Sequence, residues 1–435
     1  MNKKVSIGVT IALVFLAVAL TASVTMIIAM RHFSSLVSDP AKRQAMFEYV
    51  TEIDKLVRQH NANIDEEKLR TALAQGYIDG INDPYAAYLT ADEYRAELEA
   101  KEGKLIGYGV EVVRSKDGAI VVTGVQKNSP AAAAGLQKGD IVTALDGTPV
   151  SELGLVSVRT RLAEGTKIII TFERDGESKA LEISASLFPV IGVEGSMLDE
   201  TVGYIRIRYF NDTSLEQFKA AYASLEQQGA AHFVFDLRGV DGGSLEAAKE
   251  VVAYLMPRGA YAKVQNNASD EVETLSAEDS FEMDSSSVTL VNSATAGVAE
   301  LFAGVLQEFG KTTVVGTATA GRGMVQECFP VTTDGSAVKL STSQAYLMKQ
   351  GKIEGVGITP NQVVTLSAEQ ALYFDLLTPA EDPQLQAALK TAHTGQNPPP
   401  VTEPSGTQSE PEPPVSGETS EEASSAEPEN STGES

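Results

Sequence analysis

Metal, thiol and imidazole chemistry have little to work with in this sequence. Cys328 is the sole cysteine, so no intramolecular disulfide and no cysteine-ligated zinc or iron–sulfur site can form. The four histidines, His32, His60, His232 and His393, show no HExxH-type ligand spacing, and none sits in a motif that would supply a Ser-His-Asp triad. Neither a metal nor a cofactor is expected.

One stretch is built for recognition. Ser129-Pro-Ala-Ala-Ala-Ala-Gly135 reads as a short helix ended by glycine, and Gly139-Asp140 followed by Ile141–Leu145 reads as a turn into a strand. Asp146-Gly147 suits a hairpin turn that needs positive φ. This run resembles the PDZ signature. The resemblance implies a carboxylate-binding loop at Ile106-Gly107-Tyr108-Gly109, where backbone N–H groups would cradle the terminal carboxylate of an apolar C-terminus while the ligand adds a strand.

The elements around these stretches follow from pattern. Apolar residues at helical spacing (Met46, Val50, Ile53, Leu56, Val57) argue for a helical segment over 38–101, interrupted at Asp83-Pro84 and restarted by a Thr90–Glu93 capping box. From 102 to 187, short β-type runs at 119–125, 140–145 and 167–173 are punctuated by Gly and Pro, as in a small β-rich module. Over 188–392 the order becomes strand 203–208, helix 214–227, strand 232–237 and helix 245–255, which argues for an α/β core with parallel strands. The fold class is thus multidomain α+β.

The two ends differ from the middle. Val5–Met30 holds no charged residue and is long enough to cross a hydrocarbon core of ~30 Å as a helix. The competing reading is a cleaved signal peptide with its site in Ala19–Ser23; length favours a transmembrane anchor over 5–30. Lys3 and Lys4 would leave residues 1–4 as a cytoplasmic end, making the protein a single-pass cell-membrane protein with its bulk extracytoplasmic. Residues 395–435 are rich in Pro, Glu, Ser and Thr with almost no large apolar side chain, so a disordered acidic tail is expected. A net charge of -25 and a pI near 4.6 argue against nucleic acid, because phosphate binding needs a basic surface.

From about Leu69 to Leu385 the chain resembles the carboxyl-terminal processing (tail-specific) proteases. The landmarks are Asp83-Pro84-Tyr85 with Tyr88-Leu89-Thr90, the PDZ signature, Gly203-Tyr-Ile-Arg206, Asp236-Leu-Arg238 before Gly242-Gly243, and Gly357-Ile-Thr-Pro360. In active members, the resemblance implies, a helix-opening serine attacks the scissile carbonyl, a lysine takes its proton and a glutamine orients the lysine. Asn292, Glu300, Ala303, Gln307, Gly310, Gly316, Thr319, Gly321, Gly323 and Gln326 fall in register with no gap. The nucleophile position is then Gly297 and the base position Arg322, with Gln326 retained. The implied oxyanion hole is Gly242, Gly243 and the N–H of Val298, although Gly239-Val240-Asp241 and Asn361 depart from the usual residues.

Glycine has no nucleophilic atom, and arginine, with a pKa above ~12, does not give up its proton. The leading expectation is therefore a membrane-anchored homologue that binds protein C-termini without cleaving them. One alternative is an active endopeptidase of extracytoplasmic proteins using Ser293 or Thr295 with Lys311, although neither spacing matches. Another is a scaffold or regulator that pairs with an active paralogue or with itself.

Overall fold

The computed structural model describes residues 40–401, apart from 164, 279 and 280, together with the isolated positions Thr21 and Met26. The expected membrane segment 5–30 lies otherwise outside the described residues. Among the described residues no helix is long and apolar enough to cross a membrane.

The chain divides after Asn82. The first unit holds α1 (Pro40–His60) and α2 (Glu66–Asp79). Asp65 caps α2 by accepting the Lys68 N–H at 3.0 Å, and Arg58 of α1 donates to Glu66 of α2.

In the second unit, the segment expected to be helical through residue 101 also contains a strand, β1 (Ala87–Leu89). It pairs antiparallel with residues 337–339, a long-range partner that local periodicity does not register. The capping box is as expected: Thr90 accepts from the Glu93 N–H, and the Glu93 carboxylate takes the Thr90 N–H, opening α3 (Ala91–Lys101).

The β-rich module begins with β2 (Lys104–Gly107), β3 (Val110–Arg114) and β4 (Ile120–Val125). Helix α4 (Pro130–Ala134) is capped by Ser129 and ended by Gly135 in the left-handed conformation, φ 90°. Then come β5 (Ile141–Leu145), β6 (Thr148–Pro149), α5 (Val150–Ala163), β7 (Lys167–Arg174), β8 (Glu177–Ser184) and β9 (Ser186–Pro189). Asp146 and Gly147 take φ 50° and 77°, the conformation the Asp-Gly pair was expected to need. The sheet runs β3-β4-β5-β7-β8, with β2 and β9 pairing beside it. Its core gathers Val112, Ile120, Val142, Leu145, Val158, Ile170 and Phe172.

The α/β core contains β10 (Val193–Met197), β11 (Val202–Ile207), α6 (Ser214–Gln227), β12 (His232–Asp236), α7 (Leu245–Leu255), β13 (Gly259–Asn266), β14 (Val272–Ala277), β15 (Ser287–Val291), α8 (Val298–Glu308) and β16 (Thr313–Gly316). After these follow β17 (Met324–Pro330), β18 (Ala337–Leu347), β19 (Gly351–Lys352), β20 (Gln362–Val363), α9 (Ala368–Leu372) and α10 (Pro383–Ala392). One sheet runs β10-β11-β12-β15-β16-β20, parallel from β11 onward. Both its faces are covered, as parallel strands require. Phe233 and Phe235 of β12 pack with Phe218, Tyr222 and Phe302 on one side; Val234 turns to Leu385 and Ala388 of α10 on the other. A second sheet is built on β18, flanked by β1, β13, β17 and β19.

The disordered tail expected from residue 395 is corrected at its start, where the chain is bound to the fold through residue 401. Asn397 Oδ1 accepts the Ser287 N–H at 3.0 Å and the Val401 N–H donates to the Glu308 carbonyl at 2.9 Å, so the 397–401 run is laid against the end of α8. Composition missed this because these contacts are made by backbone and one amide, not by apolar side chains. Residues 402–435 lie outside the described residues.

Candidate functional site

Gly297 is the N-cap of α8, at φ 64° and ψ −125°. Only glycine holds such a backbone without strain. A Cβ there would have open space, its one neighbour within 4 Å being the Gly242 Cα at 3.8 Å. The positions expected for nucleophile and oxyanion turn are therefore side by side. The Val298 N–H, first of the helix, is among the four that find no acceptor within it.

The loops that bring them together are laced at several points. The Ala296 N–H donates to the Val240 carbonyl at 2.8 Å, and the Gly239 N–H to Asn292 Oδ1 at 3.0 Å. Thr295 is fully buried; its hydroxyl donates to the Leu237 carbonyl at 2.9 Å and accepts the Asn292 N–H at 3.0 Å. Gly243, at φ 131°, sits so close to Phe210 that a Cβ would come within 2.8 Å of it.

Glu300 ties α8 to the loop that carries Arg322. Its buried carboxylate accepts the Gly297 N–H at 3.0 Å and the Arg322 N–H at 2.8 Å on one oxygen, and the Gly321 N–H at 2.7 Å and the Thr319 hydroxyl on the other. The Gly297 and Arg322 nitrogens share an acceptor and so lie within about 6 Å of each other. Glu354 continues the pattern, taking the Gly323 N–H at 2.8 Å, the Met324 N–H at 3.2 Å and the Tyr85 hydroxyl at 3.1 Å. Four consecutive backbone donors, 321–324, are thus held by two carboxylates.

The side chains at these positions are a different matter. Arg322 is exposed, and its guanidinium makes no hydrogen bond or ion pair among the described residues. Gln326, just beyond the point where β18 bulges at Thr342, donates to the Met324 carbonyl at 2.8 Å. Ser293 is exposed in the turn before the helix. Lys311 stands beyond the opposite end of α8, roughly 16 Å away by helix rise, where Nζ reaches Glu282 at 3.3 Å and the Met283 carbonyl at 3.2 Å. The structure therefore brings Gly297, Val298, Gly242 and the Arg322 backbone together and leaves Lys311 apart.

Arg238, next to Gly239, belongs to a buried ion network. Asp236 accepts from Arg206 at 2.5 Å, Arg238 at 2.7 Å and the Tyr204 hydroxyl at 2.7 Å, and Arg238 extends to Asp382 at 2.7 Å. Burial pushes the Asp236 carboxyl up, but Arg206 and Arg238 outweigh it and hold the group well below the usual carboxylate range. Burial and then the Asp236 charge push the Tyr204 phenol far up.

In the β-rich module, Ile106 and Gly107 end β2, and Tyr108 and Gly109 form the turn into β3. The Tyr108 ring is buried, and its hydroxyl has no partner among the described residues. A Cβ at Gly109 would lie 2.2 Å from that of Ser129, so only glycine fits. The Tyr108 and Gly109 carbonyls accept the Ala131 and Gln126 N–H groups, while their own N–H groups have no acceptor among the described residues.

Comparison with known proteins is decisive about the family. The profile of peptidase family S41 matches residues 201–364, and that of the PDZ domain matches 106–185. A probable CtpA-like serine protease of Staphylococcus haemolyticus is 31% identical over 373 residues, covering 84% of this chain and 73% of the relative. The carboxy-terminal processing protease CtpA of Bacillus subtilis is 30% identical, covering 77% of this chain and 70% of the relative. The chain belongs to peptidase family S41. A Bacteroides fragilis structure assigned to the S41 proteases, 20% identical, covers 79% of this chain and 97% of that one with a TM-score of 0.53, a likeness of fold. Within this S41 chain, the roles of Glu300 and Glu354 were missed by sequence reasoning. For Glu300 the signal was present: a glutamate at the third helical position is the capping-box acid, here with a glycine where the capping hydroxyl would be.

Proposed function

We propose that this protein is an S41 homologue that binds protein C-termini through its PDZ module and does not cleave them. The observation that carries the reading is the contrast at one place: the Gly297 and Arg322 N–H groups are both tied to Glu300, while glycine at 297 has no atom to attack a carbonyl and arginine at 322 does not accept a proton. Elsewhere, loss of a serine protease's nucleophile costs about 10⁶ in turnover. Against a relocated site, the Thr295 hydroxyl is buried and committed to Leu237, and Lys311, the base that an exposed Ser293 would need, is occupied beyond the far end of α8.

The unbonded N–H groups of Tyr108 and Gly109 beside the open edge of β3 favour capture of a terminal carboxylate with strand addition. The uncharged run Val5–Met30 supports a single-pass anchor with the folded part outside the cell. Such a protein would act by holding C-termini at the membrane surface, as a scaffold or as a regulator of an active paralogue. Titration with peptides ending in an apolar residue tests the reading: binding is expected for the free carboxylate and not for the amide, and equal behaviour of the two would overturn it.

A further inference from the structure

The PDZ sheet ends on β3, and part of that edge is already taken. β3 ends the order β3-β4-β5-β7-β8 and pairs on one side only. Gly109 before it accepts from Gln126, and Ser115 after it donates to Ala119, both on the β4 side. At a strand's period of two, Val110, Val112 and Arg114 turn their backbone groups to the open edge. A ligand strand must pair there, yet Arg159 of α5 donates to the Val112 carbonyl from Nε at 3.2 Å and Nη2 at 3.0 Å.

We infer that Arg159 is the specificity residue of this groove: it caps the Val112 carbonyl and, on ligand binding, exchanges that carbonyl for an acidic side chain on the third-from-last residue of the ligand. The inference rests on the PDZ module binding C-termini. With the ligand carboxylate at Tyr108 and Gly109, its last residue lies opposite Val110, and antiparallel pairing puts the residue two before it opposite Val112. Directly opposed side chains share a face. Val112 faces the core that Val158 of α5 also enters, so the third-from-last side chain points toward α5. The ligand N–H takes the Val112 carbonyl and frees the guanidinium beside it. Arg159 forms no ion pair among the described residues, so a ligand carboxylate there regains a charge-assisted bond, whereas a neutral residue leaves the cation uncompensated.

The test uses three otherwise identical labelled peptides with a C-terminal valine and a free carboxylate, bearing Glu, Ala or Lys at the third-from-last position, titrated into the full chain and followed by polarisation. The Glu peptide is expected to bind about tenfold tighter than the Ala peptide and to lose that margin at high salt. Arg159→Ala should bind the three alike and take the Ala peptide more tightly than the natural chain does. Arg159→Glu should reverse the order in favour of Lys. Equal affinity for the Glu and Ala peptides in the natural chain, or a preference that survives Arg159→Ala, would overturn the assignment while leaving C-terminal binding intact. If no peptide binds any of the proteins, the assignment and the binding reading fall together.

Discussion

Glu300 and Arg322 are joined by a 2.8 Å hydrogen bond from the Arg322 backbone N–H to the Glu300 carboxylate, and the same oxygen holds the Gly297 N–H at 3.0 Å. The two positions proposed to correspond to the dyad of an active family member are thus linked through a third residue, Glu300. On that reading the scaffold does not depend on the side chains at 297 and 322, since only backbone donors and one carboxylate maintain it.

Removing that carboxylate should be costly. Glu300→Ala strands four donors, two of them buried, and at about 1–3 kcal/mol for each buried unsatisfied group the loss should be at least about 3 kcal/mol. Glu300→Gln should fall between, because one half of the amide turns a donor toward donors. Urea unfolding reads both from the midpoint; a loss under about 1 kcal/mol for the alanine variant would contradict the bridging role.

Gly297 is held by conformation and not by crowding. Gly297→Ala should cost about 1–3 kcal/mol from the positive φ alone, because a Cβ there meets nothing closer than 3.8 Å. Gly323→Ala should cost more, since its Cβ would come within 2.4 Å of the Glu354 nitrogen. Unfolding midpoints that rank the two the other way would show that the 297 turn relaxes freely.

The parts legible in the sequence were those set by local chemistry. The helix Ser214–Gln227, the helix Leu245–Leu255, the Thr90 capping box and the Asp146-Gly147 turn all follow from caps, periodicity and positive φ, and each is where it was expected. Parallel pairing of β11 and β12 followed from the strand–helix alternation. Illegible were contacts between residues far apart in the chain: β1 on β18, Tyr85 on Glu354, Arg238 on Asp382, Arg159 on Val112. No pattern in a short window encodes these. At the site, Gly297 and Arg322 could be picked out only through the family resemblance, while the bridging by Glu300 needed coordinates.

Acid should weaken the fold through Asp236. A carboxyl whose folded pKa is depressed stabilises above its unfolded value, near 4, and loses that contribution as pH falls toward the folded value. Asp236→Asn should be less stable by about 3–5 kcal/mol at neutral pH, since it leaves two buried guanidinium groups poorly compensated. The gap between variant and natural chain should narrow as pH drops below about 4. Denaturation at pH 7 and at pH 3 measures it, and a constant gap would mean that Asp236 does not stay ionised against the two arginines.

Cleavage of an unfolded protein substrate by the full chain, beside the Gly297→Ser plus Arg322→Lys double variant, tests the central claim most directly. The natural chain is predicted to leave the substrate intact and the double variant to cut it, because the turn, the helix N-terminus and the Glu300 tether are already in position. Cutting by the natural chain, abolished by Ser293→Ala or Thr295→Ala, would contradict the account and establish a relocated nucleophile.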